Sequence, residues 1–229
     1  MLVSYGLDIG NKSFAWCRID QYGVSNHSTT NHKAQNKFSK LKKALDLDLK
    51  NGNSIAIGVD APMWFVDDFK PRFKEETANH EWYNRSGAAA TVMSWVYLTQ
   101  ILCLISAYSN YIATLNIKKL APPTTSGIVY LYECFMTSHY KISTQYPSLK
   151  GISRDLVDAF AVAAASWITH TQQQPKSNIP LYNSVTLTTP RIISPSYNGT
   201  CYSIWHAMGH AVGLQVSGGP QSHCDVFCY

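Results

Sequence analysis

The chain has 229 residues with 19 basic and 14 acidic side chains, a formal net charge of +5, and 45% hydrophobic residues. This is the composition of an ordinary soluble globular protein, long enough for one large domain or one domain with an extension. The modest positive charge favours an anionic partner only weakly, since a generally basic surface accounts for it equally well. The six cysteines do not form the short, dense framework of a small secreted scaffold.

In chain order, Met1 to Gly6 has no basic region followed by an apolar core and a small-residue cleavage site, so a secretory signal is not expected and a reducing cytoplasm is the expected location. Residues 2–9 read as a strand, 13–20 as a second, and Tyr22-Gly23 as a tight turn into a third over Val24 to Thr30, an antiparallel meander. Ala34 to Leu49 carries Phe38, Leu41, Ala44, Leu45 and Leu49 at helical spacing, with lysines between them. Ile55 to Val59 is an apolar run expected as a buried strand, with Pro62 stopping regular pairing after Asp60.

A long helical stretch follows, expected to break near Asn84-Arg85-Ser86-Gly87 and to continue from Ala88 to about Tyr108. Its apolar part, from Val92, is interrupted by Ser94, Thr99, Gln100 and Ser106, which favours a buried core helix over a membrane span. Pro122 to Ser126 reads as a loop and Ile128 to Glu133 as another buried strand. Ser153 is a natural N-cap for a helix from Arg154 to about Thr169. Thr171 to Lys176 reads as a linker. Antiparallel strands extended by strands with helical crossovers give a mixed α/β sheet with helices on both faces.

Acidic residues fall at unusual places in this pattern. Asp8, Asp60, Glu133 and the pair Asp155 and Asp158 each lie inside or at the end of an apolar run, in a chain with 14 acids in all. A carboxylate removed from water costs several kcal/mol unless it is compensated. Acids converging from strand ends and one helix face are most simply compensated by a divalent cation. Each also has a plainer explanation. Asp8 precedes the turn-forming Gly10-Asn11, Asp60 precedes Ala61-Pro62, and Glu133 suits a buried ion pair. Asp155 lies in the first turn of its helix, where negative charge suits the helix dipole. Asp158 lies deeper in an apolar helix and has no such explanation.

The order of elements and the positions of these acids resemble the RNase H-like superfamily. The helix Asp158-Ala-Phe-Ala-Val-Ala-Ala-Ala-Ser-Trp-Ile-Thr-His170 is similar to the last helix of RuvC-like resolvases. Val59-Asp60-Ala61-Pro62 and Tyr132-Glu133-Cys134-Phe135 look closer to a bacterial family of uncharacterised predicted nucleases with this fold, in which a Val/Ile-Asp-Ala-Pro motif and a strand-borne Glu are typical. The resemblance covers roughly residues 2–170. It implies an RNase H-like domain over 1–170 built on a mixed five-stranded sheet, followed by a linker and C-terminal extension over 171–229 packed on the same domain.

The expected activity is hydrolysis of phosphodiester bonds by a metal-dependent nuclease, with Mg²⁺ or Mn²⁺ held by Asp8, Asp60, Glu133 and Asp158 and with Asp155 assisting. Two ions about 3.5–4 Å apart clamp both oxygens of an in-line displacement. Lys12, Arg85 and Arg154 are the expected contacts to substrate phosphate, the two arginines by their positions at helix starts. Lys33, Lys37, Lys40, Lys42, Lys43 and Lys50 cluster around the first helix, as backbone contacts or as a solvated face. The partner would be nucleic acid, DNA or RNA, with no membrane.

Two other readings stand beside this one. Leu7-Asp8-Ile9-Gly10-Asn11-Lys12 is similar to the phosphate loop of actin-like small-molecule kinases, particularly type III pantothenate kinases, but a second Asp-x-Gly motif is missing. A non-catalytic nucleic-acid-binding module is the other, although carboxylates repel phosphate. The tail holds Cys201, His206, His210, His223, Cys224 and Cys228, a weak zinc signal without paired Cys-x-x-Cys spacing, in what otherwise reads as a β-rich or irregular extension covering a sheet edge.

Overall fold

The computed structural model describes residues 1–10, 13–31, 38–66, 85–108, 111–114, 127–135, 153–176, 191–193, 200–217 and 226–228. The apolar runs become strands β1 (Leu2–Ile9), β2 (Ser13–Asp20), β3 (Gly23–Asn31), β4 (Ser54–Asp60), β5 (Trp64–Val66), β6 (Tyr111–Thr114), β7 (Val129–Phe135), β8 (Arg191–Ile193), β9 (Cys201–Ser203), β10 (Gln215–Ser217) and β11 (Val226–Cys228). The helices are α1 (Ser39–Lys50), α2 (Arg85–Ser106), α3 (Arg154–Thr171) and α4 (Ile204–Ala211). Among the described residues, no helix is long and apolar enough to cross a membrane.

Five strands form the expected mixed sheet in the order β3-β2-β1-β4-β7. β2 is antiparallel to its neighbours β1 and β3, whereas β1, β4 and β7 run parallel. This is the mixed α/β sheet expected from the element order. The sheet then continues beyond β7 through β6 and β10, with β11 also pairing β7 and β8 pairing β11. Three of these added strands, β8, β10 and β11, come from the C-terminal region, so the tail joins the same sheet.

β1 and β4 are buried on both faces, which is why they read as continuous apolar runs and not as alternations. Val3, Tyr5, Leu7, Ile55, Ile57 and Val59 face one side, in a core with Leu41 and Leu45 of α1 and Tyr97, Leu98 and Ile101 of α2. Ala15, Cys17, Ala56, Tyr130 and Tyr132 belong to a second core with the alanine-rich α3. On the first side a polar knot is buried. Asp48 of α1 accepts from Arg18 Nε and Nη2, both at 2.8 Å, from Tyr5 Oη at 2.5 Å and from Asn53 Nδ2 at 2.9 Å. Burial alone would raise the Asp48 carboxyl, but the hydrogen bonds from Arg18 and Tyr5 outweigh it and hold the group below the usual carboxylate range.

The expected break at residues 84–87 does not occur from Arg85 onward, where α2 is continuous. Ser86 and Gly87 lie in its first turn, whose N–H groups need no partner inside the helix, so poor helix formers are tolerated there. Residues 34–37, the start expected for the first helix, and the loop at 122–126 lie outside the described residues.

Candidate functional site

The parallel pairing of β1 and β4 puts Asp8 directly opposite Asp60, both near the carboxyl ends of their strands. Side chains two apart on a strand share a face. Asp8 therefore shares the face of Gly6 and Ser4, and Asp60 that of Gly58 and Ala56, which is the face covered by α3. Ser4 Oγ donates to Ala163 O at 2.6 Å on that side.

The two glycines set how close α3 comes. A Cβ on Gly6 would lie 2.0 Å from Ala159 O and 2.3 Å from Ala163 N, inside the helix backbone. A Cβ on Gly58 would lie 2.7 Å from Val162 Cγ1 and 2.9 Å from Ser166 Oγ. Two stripes of the helix are thereby fixed, Ala159 and Ala163 over β1 and Val162 and Ser166 over β4. One turn further toward the N-terminus, the first stripe continues to Asp155 and the second to Asp158. α3 runs antiparallel to β1, since Ser4 meets residue 163 while Ser13, beyond the far end of β1, meets residue 155. Both helix acids thus lie toward the edge that carries Asp8 and Asp60.

Asp155 is half-buried and accepts from Ser13 Oγ at 2.5 Å. Asp158 is 3% exposed. Ser153 caps the helix by accepting from Leu156 N at 3.2 Å, so that α3 starts at Arg154. Among the described residues, no three His, Cys, Asp or Glu side chains already meet as a ready cation site. The fit to a divalent ion is therefore one of donor chemistry and backbone placement: four carboxylates, all hard oxygen donors, toward one edge of one sheet face.

The expected acids are not equivalent. Glu133 is 2% exposed and pairs in register with Val59, one residue short of Asp60. It alternates with Val129 and Leu131, which belong to the α1–α2 core, whereas Tyr132 and Cys134 face α3. Strand parity thus puts Glu133 on the opposite face from Asp8 and Asp60. Of the expected phosphate contacts, Arg154 is exposed at the first position of α3. Arg85 is the first residue of α2, and Lys12 lies outside the described residues. Lys40, Lys42, Lys43 and Lys50 are exposed on α1, on the sheet face opposite the acids, with Lys50 bonded to Asp46 at 2.7 Å; Lys33 and Lys37 lie outside the described residues.

Ser13, Gly6 and Gly58 were not anticipated as parts of this site. The signal was present: both strands read Gly-x-Asp, Gly6-Leu7-Asp8 and Gly58-Val59-Asp60. A glycine inside an apolar strand marks a place where another backbone approaches, and the spacing of two puts each aspartate on the same face as its glycine.

In the tail, His206 and His210 sit one turn apart on α4, Cys201 and Cys228 lie in β9 and β11, and His223 and Cys224 lie outside the described residues. Burial, with the charge of His210, lowers the His206 imidazole from its ordinary range.

No family model matches the chain, and no curated protein resembles it significantly in sequence. Among solved structures, T. thermophilus RuvC in complex with Holliday junction substrate is similar over 77% of this chain and 100% of that one, with 11% identity and a TM-score of 0.37. A second Thermus thermophilus RuvC structure is similar over 76% of this chain and 99% of that one, with 11% identity and a TM-score of 0.29.

Proposed function

We propose that the chain is a metal-dependent nuclease whose site is the edge formed by Asp8, Asp60, Asp155 and Asp158. The observation that carries this reading is the in-register pair Asp8 and Asp60 beneath a helix whose two acid-bearing stripes are seated on the glycines two residues before each aspartate. Asp8, Asp60 and Asp158 would hold the cation, Mg²⁺ or Mn²⁺, with Asp155 assisting from its bond to Ser13. When bound, such ions activate water and stabilise the leaving oxygen of a phosphodiester.

The chain's own contribution is positioning. α3 cannot slide along β1 without driving Ala159 or Ala163 into the strand, so the two helix carboxylates keep a fixed height above the strand pair. The Ser13 hydroxyl holds one oxygen of Asp155 and leaves the other available as an acceptor. Arg154, exposed beside Asp155, is placed to meet a phosphate of the backbone while its acidic neighbours take the cation. In the overall step, oxygen from water bonds to phosphorus, the bond from phosphorus to the 3′-oxygen breaks, and that oxygen leaves as a hydroxyl after gaining a proton. Glu133, on the other face, has no part in this assignment.

The test is Mn²⁺-dependent cleavage of labelled single strands, duplexes, RNA–DNA hybrids and four-way junctions by the unaltered chain and by Asp8→Asn and Asp158→Asn. Loss of charge at either position should lower cleavage by about 10²–10³-fold. Cleavage that persists unchanged in both variants, or that never occurs in the unaltered chain, overturns the proposal.

A further inference from the structure

α4 carries a pair of imidazoles that the nuclease site does not use. Its N-cap Ser203 accepts from His206 N at 3.4 Å, which fixes where the helix begins and hence which face His206 and His210 share. Their Nε2 atoms lie 3.3 Å apart, with ring centroids 4.5 Å apart and planes at 80°. His206 is half-buried and His210 exposed, and the flanking Ala207 and Ala211 are small and exposed, so the solvent side of the pair is open.

Without a cation, at most one ring nitrogen can donate to the other, at the long end of hydrogen-bond distances. The same separation suits a shared ion closely. Two nitrogens 3.3 Å apart, each about 2.05 Å from one cation, subtend about 107° there, near the tetrahedral angle. Imidazole pairs select borderline metals such as Zn²⁺, Cu²⁺, Ni²⁺ and Co²⁺ over the hard Mg²⁺ that carboxylates prefer.

We propose that His206 and His210 form a two-nitrogen site for a late first-row divalent cation, with Zn²⁺ as the reference ion and solvent completing its coordination. The site is separate from the carboxylate edge in both chemistry and position. Its effect on the fold is local but connected. α4 follows directly from β9, which pairs with β5, and Ile204 N donates to Met63 O at 2.8 Å, three residues beyond Asp60. A cation bridging one turn of α4 therefore stiffens the element that closes onto the segment leaving β4.

Zn²⁺ titration of the full chain by calorimetry, in excess Mg²⁺ to occupy oxygen sites, reads this directly. The unaltered chain and Asp8→Asn should bind Zn²⁺ alike. Replacing an outer-shell partner of a metal ligand already costs about 10–100-fold in affinity, so His206→Ala and His210→Ala should each weaken binding by at least about tenfold. His210 is exposed, so its loss leaves the fold intact, and circular dichroism of both variants checks this. Zn²⁺ affinity unchanged in both histidine variants, or absent in the unaltered chain, overturns the site. So does affinity lost in Asp8→Asn and kept in the histidine variants.

Discussion

Two aspartates buried to nearly the same degree, Asp48 at 2% and Asp158 at 3% exposure, lie on opposite faces of one sheet. Around Asp48 the chain supplies a guanidinium in two bonds, a phenol and a side-chain amide. Around Asp158 lie an alanine-rich helix and, toward the same edge, three further carboxylates from β1, β4 and the first turn of α3. The first arrangement answers a buried negative charge from within the fold. The second gathers carboxylates toward one edge, the arrangement on which the proposed cation site rests. Burial is the same for both acids, so it does not separate them; the chemistry of the neighbours is what differs.

The sharpest way to break this comparison is to neutralise one acid from each region. Asp48→Asn takes from the half-buried Arg18 the anion that accepts two of its hydrogen bonds and leaves it only the anion Asp20, at 2.6 Å. Removing one partner of a fully buried pair costs about 3–5 kcal/mol, which is the upper bound here. Urea denaturation should show that loss, while cleavage per folded molecule stays unchanged. Asp8→Asn should do the reverse, keeping or raising the melting midpoint of the metal-free chain while activity falls. Equal destabilisation by both would erase the distinction.

The seating of α3 comes next. Gly6→Ala puts a methyl 2.0 Å from a helix carbonyl oxygen. Backbone must shift to admit it, at a cost of about 3 kcal/mol or more, and the carboxylates of α3 should lose their height above β1. Soluble, fully stable Gly6→Ala protein would refute the close approach.

The smallest effect concerns pH on the α3 side of the sheet. His170 is 6% exposed, bonded to Tyr132 Oη, and burial pushes its imidazole down to about 4. A histidine with a depressed folded value is neutral in the fold but charges in the unfolded chain below its ordinary value of 6.5. Its contribution is therefore whole above 6.5 and is lost as pH falls toward 4. That amounts to about 1.4 kcal/mol by about pH 5.5. In His170→Phe the loss of stability between about pH 6.5 and 4.5 should be shallower by about 2 kcal/mol. An unchanged slope would assign the acid sensitivity elsewhere. Asp48 acts lower on the scale: its depressed carboxyl contributes above its ordinary value and loses that contribution as pH falls through the folded one.

Much of this was legible in the chain. The strands at 2–9 and 13–20 and the helix beginning at Arg154 fall where the apolar runs and the Ser153 cap predict. Acids among apolar neighbours drew attention to Asp8, Asp60 and Asp158. β6 is not legible in the sequence, and the tail reads there only as a β-rich or irregular extension, without β8, β9, β10 and β11 individually, because strands of three or four residues carry too few side chains to show a period. Glu133 was grouped with the other acids because an apolar run has no alternation from which to read a face.

By itself the sequence determined the order of the elements that build the five-stranded core sheet and the presence of carboxylates at strand ends, since hydrophobic runs, caps and turn residues act locally. It also contained the two Gly-x-Asp strands, in which glycine and aspartate must share a face because strand side chains alternate. Only the tertiary structure decided which acids share an edge. That depended on the register Asp8 opposite Asp60 and Glu133 opposite Val59, and on a helix seated against two glycines. Both are contacts between distant segments, set by packing and strand parity, which no local pattern records.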